Sequence, residues 1–161
     1  MQIFRDNKGF TLVELLTVVA IIAILGAIVA PNIFRAVERS KVTAVVADYR
    51  SIKSAAAAYY SDTGEWPSGN TEGKDPGFVT EPASRVEGWN GPYLESWPAK
   101  NPWNGKYAFC CGENGVFEKG SVSLQLDNVP VDAFKELQER LGDNVVKSDS
   151  SNCVYILISR N

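Results

Sequence analysis

The chain contains no histidine, which removes the commonest general base and the commonest metal ligand from consideration. Cysteine is scarce: only Cys110, Cys111 and Cys153 occur, all in the C-terminal third, and their spacing fits neither a zinc site nor a Cys-x-x-Cys redox pair. There is no basic excess either. The formal net charge is -3, so no nucleic-acid partner is expected, since phosphate recognition relies on clustered Lys and Arg. No tandem repeat is visible, and 161 residues hold one modest globular domain plus one further element. Asp127, Asp132, Asp143 and Asp149 offer oxygen ligands, but their spacing fits no EF-hand loop. They read as solvated acidic loops, and no metal or other cofactor is expected. An enzyme anchored in a membrane is a remote alternative, because only Cys, Lys and scattered carboxylates remain to build a site.

What is present begins with one long apolar run. Phe10 to Ala30 is 21 residues with a single charge, Glu14, long enough as a helix to span a hydrocarbon core of roughly 30 Å. Arg5 and Lys8 precede it, only partly offset by Asp6, so residues 1–9 should stay cytoplasmic while the C-terminal bulk is exported. A secretory signal places its small cleavage residue after a shorter apolar stretch. Here the small residue, Gly9, comes before the run, and cleavage there retains the helix. A carboxylate within such a run costs about 2.5–3.5 kcal/mol at a helix centre and less near the ends, so Glu14 needs a partner or must reach the interface. Gly26 and Pro31 weaken the helix at the far end, predicting a kink there or a helix end at the membrane surface.

Lys8-Gly9-Phe10-Thr11-Leu12-Val13-Glu14 resembles the prepilin processing motif of type IV pilins and type II secretion pseudopilins. The resemblance implies that a prepilin peptidase cuts between Gly9 and Phe10, that the new N-terminus Phe10 is methylated, and that the retained helix forms a filament core. Loss of residues 1–9 removes Arg5, Lys8 and Asp6, a net +1, and takes -3 to -4 before the new amine is counted. Glu14 then acquires a role as assembly residue. Its carboxylate would pair with the Phe10 ammonium of a neighbouring subunit and set the register of the fibre. A proline such as Pro31 is also found in a comparable place in subunits of this type.

Beyond Pro31 neither Pro nor Gly occurs until Gly64, and Val42, Val45, Tyr49, Ile52, Ala56 and Tyr59 form one helical stripe. Helix is expected to about Asp62, stopped by Thr63-Gly64 and Trp66-Pro67. Pro67, Pro76, Pro82, Pro92, Pro98 and Pro102 then break every candidate helix, while Trp66, Trp89, Tyr93, Trp97 and Trp103 are too many for a flexible linker and should pack on the helix or sheet. Gly91-Pro92-Tyr93-Leu94 and the segment from Asn101 to Tyr107, NPWNGKY, resemble the loop-to-sheet passage of major pseudopilins and related pilins. Strands are expected from Tyr107, over Ser121–Asp127 and over Cys153–Ser159, with a helix at about Val131–Leu141. Stacked aromatics on one helix, Phe10, Phe34, Tyr49, Tyr59 and Tyr60, raise the idea of electron conduction, but core packing explains them more simply.

The fold expected is α+β: a long N-terminal helix, half transmembrane and half amphipathic, carrying a small antiparallel sheet as a pilin-like lollipop. Its parts are a leader (1–9), a transmembrane and filament-core helix (10–31), an amphipathic helix of the head (32–63), a loop region rich in Pro, Gly and aromatics (64–106), and a sheet region with one helix (107–161). The expected function is that of a type IV pilus subunit, with the major pseudopilin of a type II secretion system as alternative. The loop motifs favour the alternative; the divergent, cysteine-bearing C-terminal third favours the pilus. The partners implied are further copies of the chain in a helical filament, the inner membrane, the prepilin peptidase and the pilus or secretion assembly machinery. The precursor belongs in the inner membrane, with the head periplasmic or extracellular. In that oxidising setting a disulfide is expected from Cys153 to Cys110 or Cys111, closing a loop of about 42 residues, since a vicinal Cys110–Cys111 bridge is strained.

Overall fold

The computed structural model describes residues 9–69, 72–112, 115–149, 151 and 153–160. Residues 1–8 of the expected leader, including Arg5, Asp6 and Lys8, lie outside them. The elements run α1 (Leu12–Thr63), β1 (Tyr107–Cys111), β2 (Val122–Leu126), α2 (Val131–Leu141), β3 (Val146–Ser148) and β4 (Val154–Ser159). The chain divides into two compact units, one ending at Glu38 and one beginning at Arg39.

α1 is 52 residues long and continues through Gly26 and Pro31, so the chain does not leave the helix at its weakest point. Its richest 18-residue window has a mean hydropathy of 2.8, and none of that window is buried within the chain. At the far end Gly64, at φ 73°, donates its N–H to the Tyr60 carbonyl at 2.8 Å. The Thr63 hydroxyl donates to the Tyr59 carbonyl at 2.8 Å, so the last turn is closed locally and the chain turns away.

In the second unit the stripe predicted on α1 is the core. Val42, Val45, Ile52 and Ala56 are fully buried, and Tyr49 and Tyr59 nearly so. They meet the inner face of a four-stranded antiparallel sheet of order β1-β2-β4-β3. Tyr107 stands opposite Leu126, Leu124 opposite Ile156, and Val146 opposite Ile156 on its other side. The two-residue period of a strand sends Tyr107, Phe109, Val122, Leu124, Leu126, Val154, Ile156 and Ile158 to one core. α2 adds Ala133 and Leu137 from the apolar side of a strongly two-faced helix. Two polar contacts fix the helix on the sheet: the Tyr49 hydroxyl donates to the Leu157 carbonyl at 2.7 Å, and the Tyr107 hydroxyl to Asp48 Oδ2 at 2.8 Å. Burial first and the Asp48 carboxylate second raise the Tyr107 phenol far above its ordinary range.

The long loop is ordered by two hubs. The Asp75 carboxylate accepts the N–H groups of Gly77, Phe78, Val79 and Thr80 at 2.8–3.2 Å. This seats Phe78, fully buried, edge-on to Tyr59 and Phe109 at 5.9 and 5.1 Å. The second hub is buried Asn101. Its Nδ2 donates to the Asp127 carbonyl at 2.6 Å, while its Oδ1 accepts the N–H groups of Trp103 and Gly105 at 2.9 and 3.1 Å. Trp66, Trp89, Tyr93, Trp97 and Trp103 all pack on the core, as their number predicted. Tyr49 and Tyr59 belong to the same core, Tyr60 stacks on Trp66 at 4.5 Å, and Phe10 and Phe34 stay exposed, so the helix aromatics serve separate places.

Candidate assembly surface

Sixteen large apolar side chains between Phe10 and Val37 are exposed, each by 48–87 %. They surround the helix on every side, the pattern of a segment that lies in lipid or in a protein core and not in water. Each is worth about 1.5–3 kcal/mol when fully covered. Among the described residues of the second unit, only Tyr60 and Val131 are exposed large apolar residues, at 44 % and 61 %. The stem is therefore the surface that must be covered, by bilayer or by other stems.

Glu14 stands at the start of this surface in a defined arrangement. Its Oε2 accepts the Thr11 backbone N–H and the Thr11 hydroxyl, both at 2.8 Å, and the Glu14 N–H donates to Thr11 Oγ1 at 3.2 Å. This reciprocal exchange is a capping box, with Thr11 as N-cap and Glu14 as the third helical residue. It sets the first turn of α1 two residues after the Gly9–Phe10 bond and leaves Gly9, Phe10 and Thr11 outside the helix. Thr11 was missed in the sequence reading, although Thr-x-x-Glu before an apolar run is itself the signature. Both carboxylate bonds fall on Oε2, so Oε1 remains available for a further donor.

The cysteines differ from expectation. All three are free thiols. Cys110 and Cys111 end β1, Cys153 immediately precedes β4, and β2 lies between those strands. Two strand spacings put the flanking backbones roughly 10 Å apart, beyond the Cα separation of about 4.4–6.8 Å that a disulfide bridges. Cys110 and Cys153 do share the outer sheet face, but each thiol has its own acceptor: Gln125 Oε1 for Cys110 and Asp127 Oδ1 for Cys153, both at 3.4 Å. The Cys111 thiol donates to the Pro67 carbonyl at 3.2 Å. Burial above all raises Cys110 and Cys111 to about 11, Asp127 adding to the first and Cys110 to the second. Among the described residues, no three His, Cys, Asp or Glu side chains are grouped to hold a metal ion. Asp127 instead accepts from Gln125 Nε2 at 3.2 Å, and Asp149 caps the turn before β4 by accepting the Ser151 and Cys153 N–H groups at 2.9 Å.

Comparison with known proteins bears on both units. A model of the prokaryotic N-terminal methylation motif matches residues 4–30, and a model of the PilW C-terminal region matches residues 36–121. The type II secretion system core protein G of Pseudomonas aeruginosa is 32 % identical over 122 residues, covering 73 % of this chain and 84 % of that protein. A fimbrial protein of Neisseria meningitidis serogroup A is 44 % identical over 65 residues, 40 % of this chain and 38 % of that protein. Among solved structures, the major type IV pilin PilA1 from Clostridium difficile aligns at a TM-score of 0.52 and 25 % identity, over 77 % of this chain and 98 % of the pilin.

Proposed function

We propose that this chain, which belongs to the family of type IV pilins and type II secretion pseudopilins, is a subunit of a type IV pilus that polymerises through its stem. The family is structural and non-enzymatic, and the chain's role in it is that of a pilin or pseudopilin subunit. The observation that carries the reading is the all-round exposure of the apolar stem, headed by one carboxylate at Glu14. In the precursor the stem lies in the inner membrane. Cleavage after Gly9 by a prepilin peptidase creates an N-methylated ammonium at Phe10, and the free Oε1 of Glu14 is a suitable acceptor for that ammonium from the next subunit. Stem–stem packing then replaces lipid contacts, and the head lies outside the inner membrane. Gly26 and Pro31 let α1 bend as the stems pack. Support for a pilus comes from the likeness to a major type IV pilin across nearly its whole length, head included. A secretion pseudopilus is the second reading, favoured by the breadth of the match to core protein G. Shearing cells and analysing the released material decides between them. Fibres containing this chain with N-methylated Phe10 are the expected result. Absence of surface fibres, together with loss of protein export when the gene is deleted, would establish the pseudopilus instead.

A further inference from the structure

Within the unit that begins at Arg39, a trench runs between α1 and residues 93–98. It consists of two adjoining cavities of about 470 and 230 Å³ that share Ser51, Leu94 and Glu95. Along α1 it extends from Asp48 to Ala58, about 15 Å at 1.5 Å per residue. Small side chains keep it open: Ser51, Ser54 and Ala58 project little from the helix, and buried Ile52 and Ala55 lie at its base. The opposite wall is fixed. The N–H groups of Tyr93 and Leu94 donate to the Phe78 carbonyl at 2.7 and 3.1 Å, and the Tyr93 hydroxyl donates to Asp62 Oδ2 at 3.0 Å. A ligand therefore meets a formed site and is spared the cost of ordering it. Asp48, at one end, is committed to the Tyr107 hydroxyl. The other polar groups are not. Exposed Arg50 and Glu95 carry opposite charges and line the same cavity, yet neither forms an ion pair or hydrogen bond among the described residues. The hydroxyls of Ser51, Ser54 and Ser96 are likewise without partners among those residues.

We propose that this trench binds an extended peptide segment of a partner protein, one that carries an acidic side chain next to a basic one. At about 3.3 Å per residue, 15 Å accommodates roughly four or five residues. Successive side chains of an extended chain point to opposite sides, so the acid meets Arg50 on α1 while its neighbour, the base, meets Glu95 on the facing wall. Serine hydroxyls suit a peptide main chain, because each can donate to a carbonyl or accept from an N–H. The base formed by Ile52 and Ala55 supplies the apolar surface that such sites combine with a few polar groups. Charge also decides against other ligands. Glu95 repels a polyanion, Arg50 repels a polycation, and a neutral saccharide leaves both charges unmet. A ligand of both signs is required, and a peptide provides it. The trench shares no residue with the apolar stem, so binding there is a second activity of the head, separate from polymerisation.

Four fluorescent peptides test this by anisotropy with the detergent-solubilised full-length chain at low salt: acetyl-Ala-Glu-Lys-Ala-amide, and the same peptide with Gln-Gln, Lys-Lys or Glu-Glu at its centre. The parent should bind the Glu-Lys probe about fivefold or more tighter than the Gln-Gln probe, and added salt should erase the difference. Arg50→Glu, which leaves two acids in the trench, should shift the preference to the Lys-Lys probe. Glu95→Lys, which leaves two bases, should shift it to the Glu-Glu probe. Misfolding cannot produce these two opposite changes of preference. Lys135→Glu on α2 makes the same change of net charge as Arg50→Glu and should leave the preference as in the parent. Ser51→Tyr fills the part common to both cavities, retains both charges and should abolish binding of every probe. Equal binding of all four probes by the parent would overturn the proposal, as would unchanged preferences in the Arg50 and Glu95 variants or full binding by Ser51→Tyr. No binding of any probe to the parent, together with loss of fibres from Ser51→Tyr, would also overturn it and give the trench to a second copy of the chain.

Discussion

Glu14 combines a contact that the structure shows with one that we propose. As the third residue of a capping box it holds the first turn of α1, a contact whose loss costs about 0.5–2 kcal/mol. As a carboxylate in an otherwise apolar segment it is also the partner we propose for the Phe10 ammonium of the next subunit. The two predict different things. Glutamine completes a capping box as well as glutamate does, yet it carries no charge. If charge pairing drives assembly, Glu14→Gln and Glu14→Ala should both insert in the membrane, be cleaved, and yield no fibres by electron microscopy. Near-normal fibres from Glu14→Gln beside failure of Glu14→Ala would assign the residue to capping alone. The cysteines make a different point at the same scale. Cys110 is buried and Cys111 is not, yet desolvation raises both thiols, which keeps them protonated and slow to react near neutral pH.

At the scale of elements, the loop of residues 64–106 behaves as a third layer laid over one edge of the helix–sheet pair. It holds its shape through side chains that replace the missing backbone ladder. Asn101 closes its own turn and ties that turn to the end of β2, where Gly105 passes so near that an added Cβ would lie 2.0 Å from the Asp127 carbonyl oxygen. Asn104 takes the left-handed backbone at φ 64° that Asn tolerates better than most residues. Replacing Asn101 by Ala leaves a carbonyl and two N–H groups buried without partners. It should destabilise the head by about 2–3 kcal/mol, read as a lowered melting temperature of the detergent-solubilised chain. Asn101→Asp, which retains Oδ1 but loses the donor to Asp127, should fall between parent and Ala. A melting temperature unchanged by the Ala variant would remove Asn101 from its position as the loop's hub.

Across the whole molecule, burial of neutral acids in the head gives stability an alkaline limit. Cys110 and Cys111 bind their protons more tightly folded than unfolded, with about 11 replacing 9.0. Their contribution is therefore complete below pH 9 and lost as pH rises through 9 to 11. Tyr107 and Tyr155, both raised chiefly by burial, act in the same direction at higher pH. Thermal unfolding of the solubilised chain should thus show a flat profile up to about pH 9 and a decline beyond it. Cys110→Val, which keeps the volume without the ionisable group, should soften that decline. A profile identical in parent and variant would mean that the buried thiols are not linked to unfolding. Residues 10–37 contain no Cys, Tyr or Lys, so no side chain of the stem titrates between pH 9 and 11.

Local pattern was enough for most of the architecture. The apolar run specified the stem and its single carboxylate, because length, hydrophobicity and one charge are properties of contiguous residues. The stripe from Val42 to Tyr59 specified which face of α1 meets the head, since a helix repeats every 3.6 residues whatever it packs on. α2 was readable to its ends, Val131 and Leu141, β1 at its start, Tyr107, and β2 and β4 to within a residue or so. β3 was not: Val146–Ser148 is three residues long, too short to establish an alternation, and only its pairing with β4 makes it a strand. The cysteines fall on the same side of the line. Sequence pairs Cys153 with Cys110 or Cys111, but strand order is a long-range property, and β2 lies between β1, which ends in both cysteines, and β4, which follows Cys153. The contact of α2 with α1 likewise joins distant residues, Arg140 donating to Thr43 across 97 positions, because α2 packs its apolar side on the core that α1 also lines.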